Sequence, residues 1–176
     1  VRQGPWELFA ENVSIFKPII PLIGSAPFEE LCLHHGTVWN WNRAVFAPGV
    51  EPHFRIEFRS LPSGPTVTDM LANAALLVGL TVALSKDIDD YIARLPFKYA
   101  EYNFYRSAQW GLNTKLIWPE LVQHELEEKA VLDVLATLLP KALAGLVELG
   151  VDKEEAQSYL GVIQQRIDKK QNGATW

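Results

Sequence analysis

The sequence lacks the features that would place it in several classes of protein. Cys32 is its only cysteine, which excludes an intramolecular disulfide and a zinc site built from cysteines. It has no run of lysines and arginines, and its formal net charge is −5. Nucleic acid is therefore not an expected partner, because a phosphate backbone requires a basic surface. Repeats and low-complexity tracts are absent as well, so we expect an ordinary folded domain.

Long uncharged hydrophobic runs are also missing. The nearest approach is residues 67–84, where Asp69 and Asn73 interrupt the run, so we expect no membrane partner. The sequence opens at Val1 without the charged and apolar regions of a signal peptide. Together with the lone cysteine this predicts a reducing, cytoplasmic location. The absence of a starting Met predicts that the chain is part of a longer protein.

What the sequence does contain is a short segment, residues 53–59, in which charged and apolar residues alternate. A strand with this spacing has one charged face, made of His53, Arg55, Glu57 and Arg59. Its other face is apolar and consists of Phe54, Ile56 and Phe58. We expect the apolar face to enter a core, and we interpret the charged face as a site for an anionic ligand with a metal ion on Glu57. The alternative is a solvent-facing sheet surface on which Arg and Glu pair across strands for a few tenths of a kcal/mol each.

The preceding segment, residues 37–46, is also predicted to be a strand, because β-branched and aromatic residues alternate along it. Turn residues at 47–51 predict an antiparallel hairpin with a loop of about five residues or slightly more. Two registers remain open, one with Trp41 opposite Glu57 and one with Asn42 opposite it. In either register the hairpin offers groups that suit a polar small molecule, from Trp39, Asn42 and Arg43.

Helices are predicted before the hairpin at residues 5–16 and 27–33. In the first, apolar residues recur at three- and four-residue spacing, so we expect these in the core: Trp6, Phe9, Val13 and Phe16. His34 and His35 follow the second. Because neighbouring side chains point in different directions, we expect at most one of the two histidines to reach a pocket.

Helices also dominate the sequence after the hairpin. Residues 66–85 are apolar almost all round, which predicts a buried helix, and Thr66 with Asp69 has the spacing of a capping box. Further helices are predicted at residues 97–111, from Trp118 onward, at 131–149 with a kink or break at Pro140, and at 151–170.

These elements predict an α+β fold in a single domain of residues 1–176. Residues 1–65 would be the sheet-forming part with short helices, and residues 66–176 the mostly helical part on which the hairpin packs. A domain of 176 residues buries about 70% of the surface that its unfolded chain exposes.

Two segments carry a resemblance to a known family. Residues 33–43 read Leu-His-His-Gly-Thr-Val-Trp-Asn-Trp-Asn-Arg, and residues 53–66 read His-Phe-Arg-Ile-Glu-Phe-Arg-Ser-Leu-Pro-Ser-Gly-Pro-Thr, continuing to Ala75. Together they resemble the C-terminal portion of the glutamate-cysteine ligase-like (carboxylate-amine ligase) family. The resemblance extends to residues 103–111 and to the terminal Asn-Gly-Ala-Thr-Trp at 172–176.

The resemblance implies a glutamine-synthetase-like fold, in which a curved antiparallel sheet binds ATP, Mg²⁺ and an amino-acid carboxylate. It implies an amide-forming reaction through an acyl phosphate, typically on the γ-carboxylate of glutamate with an amine such as cysteine, as in glutathione biosynthesis. By matching position, Glu57 would bind Mg²⁺, and Arg59 would contact the phosphate or the carboxylate being activated. The further site residues implied are His53 and Arg55 beside the chemistry and Trp39, Asn42 and Arg43 around the substrate.

The resemblance also predicts what this chain needs in addition. Members of the family have an N-terminal portion with further acidic metal ligands, and no segment of this sequence matches it. We therefore expect the N-terminal part of the same enzyme as a partner and little activity from this segment alone, with a homo-oligomer as a further candidate. The alternative function is a non-catalytic binding or assembly module that retains the fold.

Overall fold

The computed structural model describes residues 6–20, 24, 26–38, 41–120 and 125–175. Over these residues the fold is α+β, as predicted, with seven α-helices and two antiparallel β-hairpins. The chain divides into two compact units, Val1–Pro62 and Ser63–Trp176. The boundary lies close to the predicted change, at residues 65 and 66, from a sheet-forming part to a helical part.

The first unit contains α1 (Trp6–Ile15), α2 (Glu29–Thr37), β1 (Asn42–Ala47) and β2 (His53–Phe58). The helix predicted at residues 5–16 is confirmed as α1, but of its expected core residues only Phe9 is buried, whereas Trp6, Val13 and Phe16 are exposed. Helix α2 extends through both histidines, and Thr37 ends it instead of beginning a strand.

The register of the hairpin pairs Ala47 with His53 and Arg43 with Glu57. Both predicted registers are therefore wrong. With Trp41 or Asn42 opposite Glu57, Pro52 would lie opposite Phe46 or Ala47; in the observed register Ala47 pairs with His53, so β1 runs to Ala47 while Pro52, which has no N–H to donate, stays in the loop. The loop instead takes all five residues from Pro48 to Pro52, which confirms its predicted length.

The apolar face of β2 is not buried. Phe54, Ile56 and Phe58 are 55%, 58% and 38% exposed. The ring of Phe54 packs at one end of this face against Phe9 and Phe46, with centroids 5.8 Å and 5.3 Å apart. The prediction that this face enters a core is wrong, because two short strands and two short helices supply too little apolar surface to cover it.

The second unit contains the remaining elements: α3 (Val67–Ser85), α4 (Ile88–Arg94), α5 (Phe97–Trp110), a 3₁₀ turn (Gly111–Asn113), β3 (Lys115–Glu120), β4 (Glu125–Ala130), α6 (Val131–Glu148) and α7 (Lys153–Asp168). Its core lies where α3, α6 and α7 meet, around Ala72, Leu139, Ala142, Leu146, Ala156, Leu160 and Ile163. Helices α3 and α6 cross closely, since a Cβ on Gly79 would overlap the backbone of Ala142.

Helix α3 begins where the sequence predicts but is less buried than expected. The hydroxyl of Thr66 accepts a hydrogen bond from the Asp69 N–H at 3.2 Å and donates to its carboxylate at 2.6 Å. The prediction of full burial is wrong, because Val67, Met70 and Val78 are exposed on the face away from α6 and α7. Among the described residues α3 is also the one helix long and apolar enough to cross a membrane, judged by length and composition alone.

The helix predicted from Trp118 is a β-hairpin. Strands β3 and β4 pair Trp118 with Glu127. The side-chain amide of Asn103 on α5 takes the place of a further strand, donating to the Ile117 carbonyl and accepting from the Ile117 N–H, both at 2.8 Å. Helix α6 continues through Pro140; the carbonyl that this proline leaves without a donor belongs to Ala136, an exposed residue, and can bind water.

Candidate functional site

Three of the predicted site residues form one charged cluster on the first hairpin. Glu57 Oε2 lies 2.8 Å from Arg43 Nη2 and 3.0 Å from Arg59 Nε. The side chains of Arg43, Arg59 and Glu57 are 13%, 25% and 39% exposed. Both guanidinium groups contact the same carboxylate oxygen, and Oε1 has no hydrogen-bond partner among the described residues. We call these three residues the hairpin cluster.

The backbone ladder brings the hairpin cluster together. Arg43 lies directly opposite Glu57 in the β1–β2 register, so the two side chains leave the same face of the hairpin. Arg59 is two residues from Glu57 on the same face, and its N–H donates to the Trp41 carbonyl at 2.9 Å. This hydrogen bond extends the ladder beyond the last assigned pair and fixes the backbone that carries Arg59.

Arg43 also ties the hairpin to α2. Its Nη1 donates to the backbone carbonyls of His35 at 3.3 Å and Gly36 at 3.2 Å. These carbonyls belong to the last turn of α2, where carbonyl groups have no partner within the helix and the helix dipole favours a cation. Arg43 therefore serves two acceptor groups, the end of a helix and the carboxylate of Glu57.

The charges in the hairpin cluster keep Glu57 ionised. Desolvation raises the pKa of Glu57, but the hydrogen bond from Arg59 and the charge of Arg43 together outweigh it, so the pKa lies below its ordinary value. With both arginines protonated, the three side chains carry a net charge of about +1 at neutral pH. The cluster therefore attracts an anion more strongly than a bare cation.

A small cavity of about 40 Å³ lies beside Arg43. It is lined by Phe9, Leu31, Cys32, His35, Gly36, Arg43, Val45 and Phe46. This volume holds a few water molecules and is too small for an amino acid or a nucleotide. Glu57 and Arg59 do not line it.

The two histidines of α2 behave as expected from their adjacent positions. His35 is 5% exposed and lines the cavity, with its ring centroid 4.7 Å from that of Phe9. Burial, followed by the charge of Arg43, lowers the pKa of His35, so its imidazole is neutral at pH 7. His34 does not line the cavity, and its Nε2 lies 3.4 Å from the Asn12 carbonyl oxygen.

The other predicted site residues are not brought into the hairpin cluster. Arg55 and His53 share its face of β2 but are exposed, and the His53 ring contacts the Glu51 carbonyl at 3.0 Å. Asn42 precedes Arg43 and so faces the opposite side of the hairpin. Trp39 lies outside the described residues.

The fit to a magnesium ion is incomplete. The described residues contain no group of three or more side chains that could hold a metal ion. Mg²⁺ takes six oxygen ligands, and of the hairpin cluster only Glu57 Oε1 is available to it. The other ligands would have to come from a bound phosphate, from water and from residues outside the described part of the chain.

Arg43 is predicted as a substrate-binding residue, but its contact with Glu57 is not predicted, because that contact depends on the register of the hairpin. Pro52 alone does not identify the observed register, because a ladder with Asn42 opposite Glu57 that ends at Phe46 also leaves this proline in the loop. The fold and the cluster together define an α+β protein with a cluster of two arginines and one glutamate on a two-stranded hairpin. Comparison with protein-family models, with curated proteins and with solved structures finds no match to this chain.

Proposed function

We propose that this chain is the C-terminal segment of an ATP-dependent carboxylate-amine ligase of the glutamate-cysteine ligase type. The observation that carries the proposal is the hairpin cluster, in which Arg43 and Arg59 share one oxygen of Glu57. The sequence resemblance at residues 33–43 and 53–75 supports the same assignment. In a cell such an enzyme works where ATP and free thiols are present, which agrees with the cytoplasmic location expected from the sequence.

The charges of the hairpin cluster suit acyl-phosphate chemistry. Transfer of a phosphoryl group to a carboxylate gathers several negative charges in one place, so catalysis depends on positioning and on positive charge held ready for the transition state. Two guanidinium groups fixed on one carboxylate supply such charge without having to reorganise. Arg59, the more exposed of the two, is proposed to contact the phosphate or the activated carboxylate.

Glu57 has a second proposed role through its remaining oxygen. Oε2 holds the two arginines, whereas Oε1 can accept one hard cation that arrives with the phosphate groups of ATP. Mg²⁺ bound to ATP already carries most of its ligands, so one protein oxygen adds to a site that the nucleotide supplies. The N-terminal part of the enzyme is proposed to provide the other acidic ligands and the walls of the nucleotide site.

The decisive assay uses the longer protein of which this chain is proposed to be the end. We expect it to release phosphate from ATP in the presence of glutamate and an amine such as cysteine. Glu57→Gln and Arg59→Lys should each lower kcat by about 100-fold, because both act on charge in the transition state. Lys17→Gln removes an exposed cation of the first unit outside the hairpin; it is the control and should stay within about threefold of wild type.

Folding has to be monitored alongside activity. Glu57→Gln leaves two guanidinium groups beside a neutral amide, so its unfolding curve and circular dichroism spectrum are recorded in parallel. A folded Glu57→Gln protein with unchanged turnover would remove the proposed role of Glu57. Absence of ATP-dependent turnover with a panel of carboxylates and amines would sink the ligase assignment itself.

A second candidate function is a non-catalytic binding module. The observation that favours it is the size of the cavity beside Arg43, about 40 Å³, which is too small to bind a substrate. Under this alternative the hairpin cluster binds an anionic group of another protein, and the longer product binds ATP no better than this chain does. Saturable binding of ATP by the longer product, weakened by Arg59→Lys, would decide for the ligase.

A further inference from the structure

Helix α5 carries an arginine held between two aromatic rings. The guanidinium carbon Cζ of Arg106 lies 5.6 Å from the centroid of the Tyr102 ring and 5.8 Å from that of Trp110. Tyr102 and Trp110 are one helical turn before and after Arg106, so the three side chains occupy one face of α5. Tyr102 and Trp110 are 41% and 50% exposed, so a ligand can reach this face.

Arg106 has no carboxylate partner in the part of the chain that the structure describes. Three other partly buried arginines do have one, since Arg43 and Arg59 contact Glu57 and Arg166 contacts Asp69. Nε of Arg106 is buried, and no acceptor among the described residues contacts it. An arginine stays charged at any physiological pH, so this cation is only partly solvated and carries no counter-charge.

The end of α5 adds a second unused donor. Gly111 follows Trp110 with a φ of +52°, and a Cβ at this glycine would lie 3.9 Å from Nδ2 of Asn172. Oδ1 of Asn172 is occupied, since it accepts from the backbone N–H groups of Ala174 and Thr175 at 3.0 Å and 3.1 Å. Nδ2 makes no hydrogen bond among the described residues and is available near Gly111, the residue that follows Trp110.

We propose that Arg106, flanked by Tyr102 and Trp110, is a binding site for a compact oxyanion, a carboxylate or a phosphate group. Cζ of Arg106 lies within 6 Å of both ring centroids, and a guanidinium offers paired N–H donors that match the paired oxygens of either anion. The Asn172 amide supplies a neutral donor at the end of the same helix. No residue of the hairpin cluster takes part, so the test of this site is independent of the test of the ligase assignment.

The test follows the indole N–H signal of Trp110 by NMR in the ¹⁵N-labelled chain, with the signal assigned from Trp110→Phe. Inorganic phosphate, L-glutamate and ATP are titrated separately at constant ionic strength, so that general screening does not contribute. We expect a saturable shift for at least one of them with a Kd of about 1–10 mM. The phosphate and glutamate arms show which oxyanion the site prefers.

Substitutions show whether Arg106 is responsible. Arg106→Gln should abolish the saturable shift, and Arg106→Lys should weaken binding about tenfold because it keeps the charge and loses the planar pair of donors. Lys98→Gln is the matched control, since Lys98 is a cation on the same helix that lies 4.8 Å from the centroid of the Tyr99 ring. Its titration should equal that of wild type.

Two results would overturn the proposal. One is the absence of a saturable shift for all three anions in the wild-type chain. The other is an affinity in Arg106→Gln equal to that of wild type, with the remaining signals showing an intact fold. If Arg106→Gln does not fold, Arg106→Lys decides, and an unchanged Kd in that variant contradicts the paired-donor geometry.

Discussion

At the scale of single residues, side chains of the same chemical type differ in how far they are buried and in which groups they contact. Arg43 and Arg55 leave the same face of the hairpin, yet Arg43 contacts a carboxylate and two carbonyls whereas Arg55 is exposed. Glu57 holds together two cations that would otherwise repel each other. A change at Glu57 therefore alters structure and chemistry at once, and the two effects have to be measured separately.

The lowered pKa of Asp69 predicts how the free energy of unfolding of the second unit depends on pH. The hydrogen bond from Thr66, followed by that from Arg166, lowers the pKa of Asp69 although desolvation opposes them. A carboxyl pKa lowered by folding adds stability above the pKa of the unfolded chain, about 4, and the gain is lost as the pH falls through the folded value. The free energy of unfolding should therefore decrease as the pH is lowered from about 5 to about 3.

The variant that checks this is Asp69→Asn, in urea unfolding followed by circular dichroism at several pH values. Its stability should be lower than that of wild type at pH 7, and its decrease with acid should be shallower. Asp133→Asn, an exposed acidic residue in the first turn of α6, is the charge-matched control. An equal flattening of the pH dependence in both variants would show that general charge, and not the Thr66 and Arg166 contacts, is responsible.

Only those contacts of the candidate site that follow from local periodicity could be predicted from the sequence. The spacing of two residues places Glu57 and Arg59 on one face whatever the strand pairs with, and the structure has them in contact. Which residue of β1 lies opposite Glu57 depends on the register of the hairpin. Contacts between two segments set that register, and neither predicted register placed Arg43 opposite Glu57. The burial of His35 against Phe9 depends on the packing of α1 on α2, for which the sequence carries no local signal.

At the scale of elements, the close crossing of α3 and α6 depends on glycine. Gly79→Ala would place a methyl group against the backbone of Ala142, which cannot move aside as a side chain can. We expect a loss of about 1–3 kcal/mol in the free energy of unfolding, as is usual for overpacking a core. Chemical unfolding with circular dichroism measures this loss directly.

Gly161→Ala is the matched control for this prediction. Gly161 lies within α7, and a Cβ there would meet no atom within 4 Å apart from the local backbone of its own helix. Alanine is favoured over glycine in a helix, so this variant should gain about 0.5–1 kcal/mol. Equal effects of the two substitutions would mean that the crossing of α3 and α6 is looser than the structure has it.

Element ends were predictable where their signals are local. Thr66 caps α3, and Asp152 caps α7 by accepting from the N–H groups of Glu154 and Glu155 at 2.9 Å and 3.0 Å. Strand β3 was not predictable in this way. Its backbone is satisfied by the side chain of Asn103, fourteen residues earlier, and a long-range partner of this kind overrides the helix-start signal of Pro119.

At the scale of the whole molecule, the two units differ in how much apolar surface each buries within itself. The core around Ala72, Ala142 and Leu160 belongs entirely to the second unit, and so does a further cluster around Leu116, Val134 and Leu138. Of the residues described in the first unit, few apolar side chains are buried, chiefly Phe9 and Val38, and the apolar face of β2 is exposed. We therefore expect the second unit, and not the first, to be stable on its own.

This difference predicts the behaviour of the separated units. Residues 63–176 should fold alone with a cooperative urea transition and dispersed NMR signals, because they retain the Thr66 cap and all three core helices. Residues 1–62 should give collapsed, poorly dispersed spectra, since a two-stranded hairpin with short helices is marginal in water. A first unit that folds cooperatively by itself would show that the hairpin cluster and the contacts of Phe9 stabilise it more than its exposed apolar face suggests.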